Sequence, residues 1–236
     1  MKKVLFELVS SLQIAEDIYE LVLKGDCSGI RCGQFVNIEL DGFYLRRPIS
    51  VCDVNNNRLT LVCKAVGQGT AALCSAPVGT KFDVLTGLGN GYDLDECGKK
   101  PVLAGGGVGT PPMYLLAKKL IAKGIAPYVA LGFANEAGAF YIENFKALGC
   151  QVAVATVDGS MGCKGFITDA MKDFKHEMGY IHDFLQESFH LLLGNGNRKI
   201  QFFISQDGFY PHFRFCIRGK NQFFAFSDFP NRQKAA

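Results

Sequence analysis

The sequence predicts an antiparallel β-barrel, then an α/β unit with a parallel sheet, and finally an atypical tail that fits neither. The barrel is predicted by six short segments that alternate apolar and polar residues between turn formers. The α/β unit is predicted by strand and helix patterns that alternate further along the chain. We place the barrel domain at 1–98, an incomplete α/β domain at 99–174 and the tail at 175–236.

The elements of the two domains follow from local patterns. The predicted barrel strands span 3–10, 17–23, 34–39, 48–53, 58–65 and 81–85, with a short helix at 71–75. The predicted α/β strands span 102–104, 128–132 and 151–156, with helices at 112–123 and 137–148. This order implies right-handed crossovers and a ligand site beyond the carboxyl ends of the parallel strands.

The composition is that of a globular protein with a small net charge. Of 236 residues, 48% are hydrophobic and 20% are charged, and the formal net charge is +3. Such a charge gives no reason to expect nucleic acid as a partner. No apolar run approaches the roughly 18 residues of a membrane span, and the N-terminus lacks a signal-peptide hydrophobic region. We expect a cytoplasmic protein that binds neither nucleic acid nor membranes.

The cysteines predict neither a disulfide framework nor a metal site. There are nine, an odd number, and none forms a CxxC pair. Cys52, Cys63 and Cys74 lie in strand-like segments and are expected to be small core residues. Cys27 and Cys32 are close enough to share a metal, but nothing nearby completes the set of ligands.

The segment 101–120 carries the main motif. A short apolar strand is followed by four glycines between 105 and 109, and then by a helix that opens on prolines. We expect Thr110 to cap this helix. Such a turn presents backbone N–H groups to a phosphate. The pattern Gly105-x-Gly107-x-x-Thr110 leaves two interpretations open, a nucleotide site and a tight turn of an ordinary α/β domain.

Two stretches of the barrel have an equally open interpretation. At 44–50 two arginines enter a strand beside a proline, which suits bidentate phosphate recognition but also fits a solvated edge pair. At 64–70 two glycines and a threonine open a short helix, which fits an anion site or a plain turn. After the second parallel strand, Glu136 could accept from a ribose hydroxyl and repel a 2′-phosphate, or simply be solvated.

Taken together, these motifs resemble the ferredoxin-reductase superfamily and, more closely, the electron-transfer subunits of dihydroorotate dehydrogenase B. The matching stretches are 46–50, 64–70, 87–91 and 104–112, and their order and separation fit the family over residues 1–174. Related subunits of sulfide dehydrogenase and of electron-bifurcating transhydrogenases share much of this pattern. The resemblance implies an FAD-binding barrel followed by a Rossmann-like nucleotide domain.

The resemblance also implies which barrel residues bind FAD. Arg47 would hold its pyrophosphate, while Pro48, Ile49 and Ser50 would line the isoalloxazine, to which Ser50 would hydrogen-bond. The remaining contacts would come from the next strand, at Val62, Cys63 and Lys64, and from the turn that follows it, at Gly69 and Thr70.

In the second domain, the resemblance implies a site for NAD(H) on the glycine turn. Its residues would be Gly105, Gly106, Gly107, Val108, Gly109 and Thr110. Electrons would pass between NAD(H) and an FMN-containing catalytic subunit of dihydroorotate dehydrogenase, in a heterotetramer that serves pyrimidine biosynthesis. The chemistry belongs to the cofactors, so we expect no side chain to act as a general acid or base.

The tail departs from the family, which ends in a cysteine cluster that holds a [2Fe–2S] centre. Between 176 and 236 there is a single cysteine, Cys216, and such a centre needs four thiolates. The tail has 11 of the 20 phenylalanines but no valine or threonine. We expect a frameshift beginning near 175–185, an unrelated fusion or poor order. Segments 201–204 and 222–226 find no clear place in a Rossmann-like domain, which would lack its last strand.

Two alternatives to the subunit stay open. A stand-alone NAD(P)H–flavin or ferredoxin reductase would need no iron–sulfur cluster. An inactive binding module would retain the two domains without carrying a flavin. The histidines at 176, 182, 190 and 212 lack an i, i+4 pair and do not predict a metal site.

Overall fold

A computed structural model shows a closed β-barrel joined to a five-stranded parallel sheet. The structure describes residues 1–95, 97, 101–174 and 200–204. No helix in this part of the chain is long and apolar enough to cross a membrane.

The barrel has six antiparallel strands and confirms the predicted fold class of the first domain. Its order is β1-β2-β5-β4-β3-β6, which closes where β6 pairs with β1. Alternate residues, such as Phe6 and Leu8 of β1, are fully buried inside it. The elements are β1 (Lys2–Ala15), β2 (Ile18–Lys24), β3 (Phe35–Ile38), β4 (Arg47–Asn55), β5 (Arg58–Lys64), α1 (Gln68–Cys74) and β6 (Lys81–Leu88).

The second domain is a parallel sheet in the order β10-β9-β8-β7-β11. Alternate residues of the central strand β7 face opposite layers: Leu103 packs with α2 and α3, and Ala104 packs with α4. The elements are β7 (Val102–Gly106), α2 (Pro111–Ala122), β8 (Tyr128–Phe133), α3 (Ile142–Ala147), β9 (Gln151–Thr156), β10 (Cys163–Lys164), α4 (Ile167–Ala170) and β11 (Ile200–Ile204).

The expectation that segment 201–204 has no place in the sheet is wrong. β11 pairs in parallel with β7, from Ile200 opposite Val102 to Ile204 opposite Gly106. The position beside β7 is therefore filled from within the tail. A short run of isoleucine and phenylalanine suits a strand, and composition alone did not reveal its partner. Segment 222–226 lies outside the described residues.

The predicted helix at 137–148 is divided in two. A single 3₁₀ turn spans Glu136–Gly138, and α3 begins only at Ile142. Tyr141, which precedes α3, has a left-handed backbone with φ of 66°. A residue with left-handed backbone angles cannot continue a right-handed helix. The conformation is unfavourable for tyrosine because its Cβ crowds the backbone.

Candidate functional site

β4 and β5 pair over only part of their length, and we refer to the gap between their unpaired segments as the cleft. The two strands pair from Asn55 opposite Arg58 to Val51 opposite Leu61. Beyond that point, residues 47–50 of β4 pair with β3, while residues 62–64 of β5 pair with β2. The two diverging segments form the walls of the cleft, and they are the segments in which flavin contacts were predicted.

The predicted flavin residues differ in how exposed their side chains are. Ile49, Ser50 and Lys64 are half-buried, and Pro48 is exposed. Val62 and Cys63 are buried, at 4% and 2% exposure. The Cys63 thiol hydrogen-bonds Cys74 of α1, and this contact together with burial raises the pKa of Cys63. Its side chain is therefore a core contact, as the sequence predicted for a small cysteine, and only its backbone borders the cleft.

Arg47 and Gly69 meet at one end of the cleft. A Cβ built on Gly69 would lie 2.0 Å from Nε and 2.2 Å from Nη2 of Arg47. The guanidinium is also held by the Leu45 carbonyl, which accepts from Nη1 at 2.6 Å, and lies 5.1 Å from the centre of the Phe43 ring. Glycine at position 69 thus makes room for a fixed cation beside the loop between β5 and α1. A planar guanidinium of this kind suits a phosphate.

Arg46 has a different role from its neighbour. Its Nη1 donates to the carbonyls of Asn37 and Asp83, and its Nη2 pairs with the carboxylates of Glu39 and Asp83. Lys3 lies 2.5 Å from the other Asp83 oxygen, and Lys3 and Arg46 together lower the pKa of the Asp83 carboxyl. Arg46 therefore ties β4 to β3 and β6, and only Arg47 stays with the cleft.

Thr70 closes the turn that contains Gly69. Its hydroxyl accepts from the Gly67 N–H at 3.1 Å and donates to the Gly67 carbonyl at 3.1 Å. These two hydrogen bonds hold the first turn of α1 in the manner of a capping box. A Cβ at Gly67 would meet nothing within 4 Å, so the outer side of the turn is open.

The glycine turn after β7 is shaped by contacts of its own backbone. A Cβ at Gly105 would lie 2.8 Å from the Thr110 Cα and 2.9 Å from the Gly109 carbonyl oxygen. Gly107 has a positive φ of 49°, which favours glycine. A 3₁₀ turn spans Gly107–Gly109, with Val108 half-buried and Gly109 and Thr110 buried.

The predicted capping role of Thr110 is wrong. Thr110 has helical backbone angles and its side chain makes no cap bond. Its buried hydroxyl instead donates to the Gly105 carbonyl at 3.3 Å, back across the turn. Pro111 and Pro112 do occupy the first turn of α2, where their missing N–H groups cost no helical hydrogen bond.

The two candidate sites are neighbours. The turn Gly107–Gly109 packs against β5, the strand that forms one wall of the barrel cleft. The helix that follows the turn, α2, packs along β4, the strand that forms the other wall. The structure thus brings the predicted FAD and NAD(H) residues to one face of the barrel.

The loops after β8 and β9 meet at the carboxyl edge of the sheet. The Glu136 N–H donates to the Ser160 hydroxyl at 2.8 Å, and that hydroxyl donates to Asp158 at 2.7 Å. Asn135 accepts from the Gly138 N–H and supports the 3₁₀ turn. The Glu136 side chain is exposed at this edge, on the same side of the sheet as the glycine turn.

The part of the chain that the structure describes does not fit an iron–sulfur cluster. No three histidine, cysteine, aspartate or glutamate side chains among the described residues lie close enough together to hold a metal ion. Seven of the eight cysteines that the structure describes are buried. Cys216 lies outside the described residues.

Sequence reasoning missed the polar contacts between the two domains. Lys118 of α2 pairs with Asp53 of β4, and the Tyr141 hydroxyl donates to Glu20 of β2. Glu20 and Tyr141 are 121 positions apart. No local pattern marks such pairs, because each partner is an ordinary polar residue in its own segment.

Comparison with known proteins identifies the family. No family profile matches the chain. A dihydroorotate dehydrogenase B (NAD⁺) electron transfer subunit of Bacillus pumilus is 41% identical over 182 residues, 73% of this chain and 70% of the relative. The subunit of that name from Bacillus cereus strain B4264 is 43% identical over 183 residues, 74% of this chain and 70% of the relative. The chain belongs to this family. The resemblance is therefore confirmed, and with it the prediction of an electron-transfer oxidoreductase.

Solved structures support the same fold. An NADH-dependent reduced ferredoxin–NADP oxidoreductase, described in work on flavin-based electron bifurcation, superposes with a TM-score of 0.67 at 28% identity. The match covers 84% of this chain and 67% of that one. The cytochrome b5 reductase domain of Ulva prolifera nitrate reductase superposes with a TM-score of 0.61 at 19% identity, over 73% of this chain and 81% of that domain. The second likeness concerns the fold alone.

Proposed function

We propose that this chain binds FAD in the cleft between β4 and β5, binds NAD(H) on the turn after β7, and passes electrons between NAD(H) and a dihydroorotate dehydrogenase catalytic subunit. One observation carries the proposal. The glycine turn Gly107–Gly109 packs against β5 beside the cleft, so both cofactors would share one face of the barrel. Direct transfer between a nicotinamide and a flavin requires their rings to be in contact, and this arrangement supports such a contact.

Each barrel residue has a defined task in this proposal. Arg47, held beside Gly69, provides the positive charge for the FAD pyrophosphate. Ile49 and Ser50 border the isoalloxazine on one wall, with Ser50 donating a hydrogen bond, and Lys64 borders it on the other. The exposed Pro48 gives its segment a fixed backbone angle.

In the second domain the backbone provides most of the site. Gly105 and Gly107 let the turn fold tightly on its own backbone, so that its N–H groups would face the dinucleotide. Glu136, at the end of β8, accepts from a ribose hydroxyl and disfavours a 2′-phosphate, which supports NAD(H) over NADP(H). When bound, the nicotinamide supplies a hydride and the flavin accepts its two electrons. The protein orients the two cofactors and excludes water between them.

The partner follows from the names of the relatives. They are electron transfer subunits of dihydroorotate dehydrogenase B, and we propose the FMN-containing catalytic subunit of that enzyme as the partner, in a heterotetramer. The described residues do not fit the family's [2Fe–2S] centre, and no electron path through one is part of the proposal. A cytoplasmic location stays a prediction from the sequence.

The visible absorption spectrum of the purified full chain tests the cofactor sites. We expect the two bands of an oxidised flavin, and we expect anaerobic NADH to bleach them while NADPH at equal concentration acts more slowly. A colourless protein that fails to take up added FAD would contradict the flavin site. A flavin that NADH does not reduce would contradict the dinucleotide site.

A second measurement tests the partner. Mixing the chain with separately purified dihydroorotate dehydrogenase catalytic subunit should give a larger complex in size-exclusion chromatography. The complex should reduce NAD⁺ when dihydroorotate is added. Rapid NADH turnover with a free acceptor, unchanged by the catalytic subunit, would instead support a stand-alone reductase.

A further inference from the structure

The barrel and the sheet are joined by polar contacts that the proposed sites do not use. Lys118 of α2 lies 2.7 Å from Asp53 of β4. The Glu16 N–H, just before β2, donates to the Ala137 carbonyl at 3.1 Å. The third contact is the hydrogen bond from the Tyr141 hydroxyl to the Glu20 carboxylate of β2, at 2.5 Å. The three contacts join β4, β2 and the turn before β2 to the second domain.

Tyr141 is the most constrained residue of this interface. Its backbone is left-handed, with φ of 66°, an unfavourable conformation for a side chain of this size. It is 8% exposed, and its ring packs edge-on against Tyr114 at 5.1 Å between centroids. Strain of this kind persists only where surrounding contacts outweigh it, and the contacts here are those that the hydroxyl and the ring make.

The Tyr141 hydroxyl meets a buried thiol as well as Glu20. Cys52 of β4 is fully buried, and its thiol lies beside this hydroxyl in the same packed cluster. It lies where the register between β4 and β5 shifts, between Val51 and Asp53, and such a bulge turns a side chain out of its usual alternation. Burial raises the pKa of both Cys52 and Tyr141, so both groups stay protonated.

These contacts lie on the elements that carry the two cofactor sites. Cys52 lies two residues after the cleft wall at 47–50, on the same strand. The Tyr141 ring packs on Tyr114 of α2, the helix that begins immediately after the glycine turn. A change in the docking of Tyr141 therefore changes the distance between the two sites. Hydride transfer falls by about 10²-fold for a misplacement of about 1 Å.

We propose that Tyr141 is a positioning residue that holds the nucleotide domain on the flavin barrel, through its hydrogen bond to Glu20 and its packing beside Cys52 and Tyr114, at the separation that transfer between the cofactors requires. The role rests on the proposed function for its kinetic consequence, while the docking itself stands on the contacts described.

The variant Tyr141→Phe tests this role because it removes the hydroxyl and keeps the ring. Tyr114→Phe is the matched control: it lies in the same aromatic cluster, and its hydroxyl makes no hydrogen bond to any residue that the structure describes. In stopped-flow mixing with NADH, we expect the limiting rate of flavin reduction to fall at least tenfold in Tyr141→Phe, with the FAD content unchanged. Tyr114→Phe should stay within about twofold of the unaltered protein.

Alkylation of cysteines gives a second readout that needs neither cofactor. Cys52 is buried beside Tyr141 at the contact between the domains, whereas Cys63 is buried against Cys74 of α1. Iodoacetamide labelling followed by peptide mass analysis should modify Cys52 in Tyr141→Phe and leave Cys63 protected. If the unaltered protein does not react with NADH, the proposed function fails, and this labelling still decides the docking role.

Three results would overturn the positioning role. The first is a Tyr141→Phe protein whose flavin is reduced at the unaltered rate. The second is slower reduction with Cys52 still protected. The third is joint labelling of Cys52 and Cys63, which indicates that the barrel itself has opened and that Tyr141 is a general stability residue.

Discussion

The two glycine-rich sites of this protein use glycine for opposite purposes. At Gly69, the missing side chain leaves space for another residue, because a Cβ there would overlap the Arg47 guanidinium. At Gly105, the missing side chain leaves space for the chain itself, because a Cβ would lie within 3 Å of the backbone of Gly109 and Thr110. The first site therefore carries a fixed cation, whereas the second carries a backbone shape.

Because of this difference, we expect crowding at the two positions to change different properties of the protein, ligand affinity at one and stability at the other. The tip of an arginine can move, so crowding at position 69 should cost ligand affinity more than stability. A packed backbone turn cannot move without disturbing β7 and α2, so crowding at position 105 should cost stability first. We therefore expect the barrel site to bind the pyrophosphate of its ligand through a basic side chain. The sheet site is expected to bind its ligand through backbone N–H groups instead.

The largest effect is expected from Gly105→Ala. The added methyl meets backbone atoms at 2.8 and 2.9 Å, and overpacking of this kind costs about 3 kcal/mol of unfolding free energy. Thermal denaturation followed by circular dichroism measures the loss. Gly106→Ala is the matched control, since its Cβ would lie 3.6 Å from the Gly132 oxygen, an ordinary contact. Equal losses of unfolding free energy in the two variants would contradict the view that close backbone packing requires glycine at position 105.

A smaller loss, now in affinity, is expected from Arg47→Gln. Hydrogen bonds to charged groups contribute about 2 kcal/mol, so the dissociation constant of FAD should rise about 30-fold. Fluorescence titration of the apoprotein with FAD measures it. Arg46→Lys, which keeps a charge beside Glu39 and Asp83, should leave the FAD affinity within about twofold. A reversed order would assign the pyrophosphate to the other arginine.

Gly69→Ala should weaken FAD binding about fivefold, roughly 1 kcal/mol, because Arg47 must turn aside to admit the methyl group. The melting temperature of the apoprotein should change little. In the double variant with Arg47→Gln, the further loss on adding Gly69→Ala should nearly vanish, since the two changes act on one contact. Full additivity would show that position 69 affects binding by another route.

The smallest effect concerns the choice of nucleotide. Glu136→Gln removes the negative charge at the end of β8 and keeps the side-chain size. We expect the ratio of kcat/KM for NADH to that for NADPH to fall about threefold, less than 1 kcal/mol, because the carboxylate is exposed and screened by solvent. An unchanged ratio would leave Glu136 as a solvated residue of the 3₁₀ turn.

Much of the fold was predictable from local patterns. The barrel strands and the three parallel strands β7, β8 and β9 follow from alternation and from apolar runs. The predicted helix at 137–148 is not continuous, because Tyr141 has a left-handed backbone. The Tyr141 side chain forms a hydrogen bond to the distant Glu20, a contact that helix propensity does not predict. The strand Ile200–Ile204 was missed because nothing local to it indicates pairing with β7, about one hundred positions earlier.

The residues of the candidate site could be predicted from the sequence, but their positions relative to one another could not. The sequence by itself determined the two glycine turns, the arginine pair and the family, because glycine and proline restrict the backbone locally and motif order is written along the chain. Only the tertiary structure decided that Arg47 and not Arg46 faces Gly69, and that Thr110 bonds back to Gly105. These outcomes depend on which distant backbone each side chain meets, and that is settled by packing.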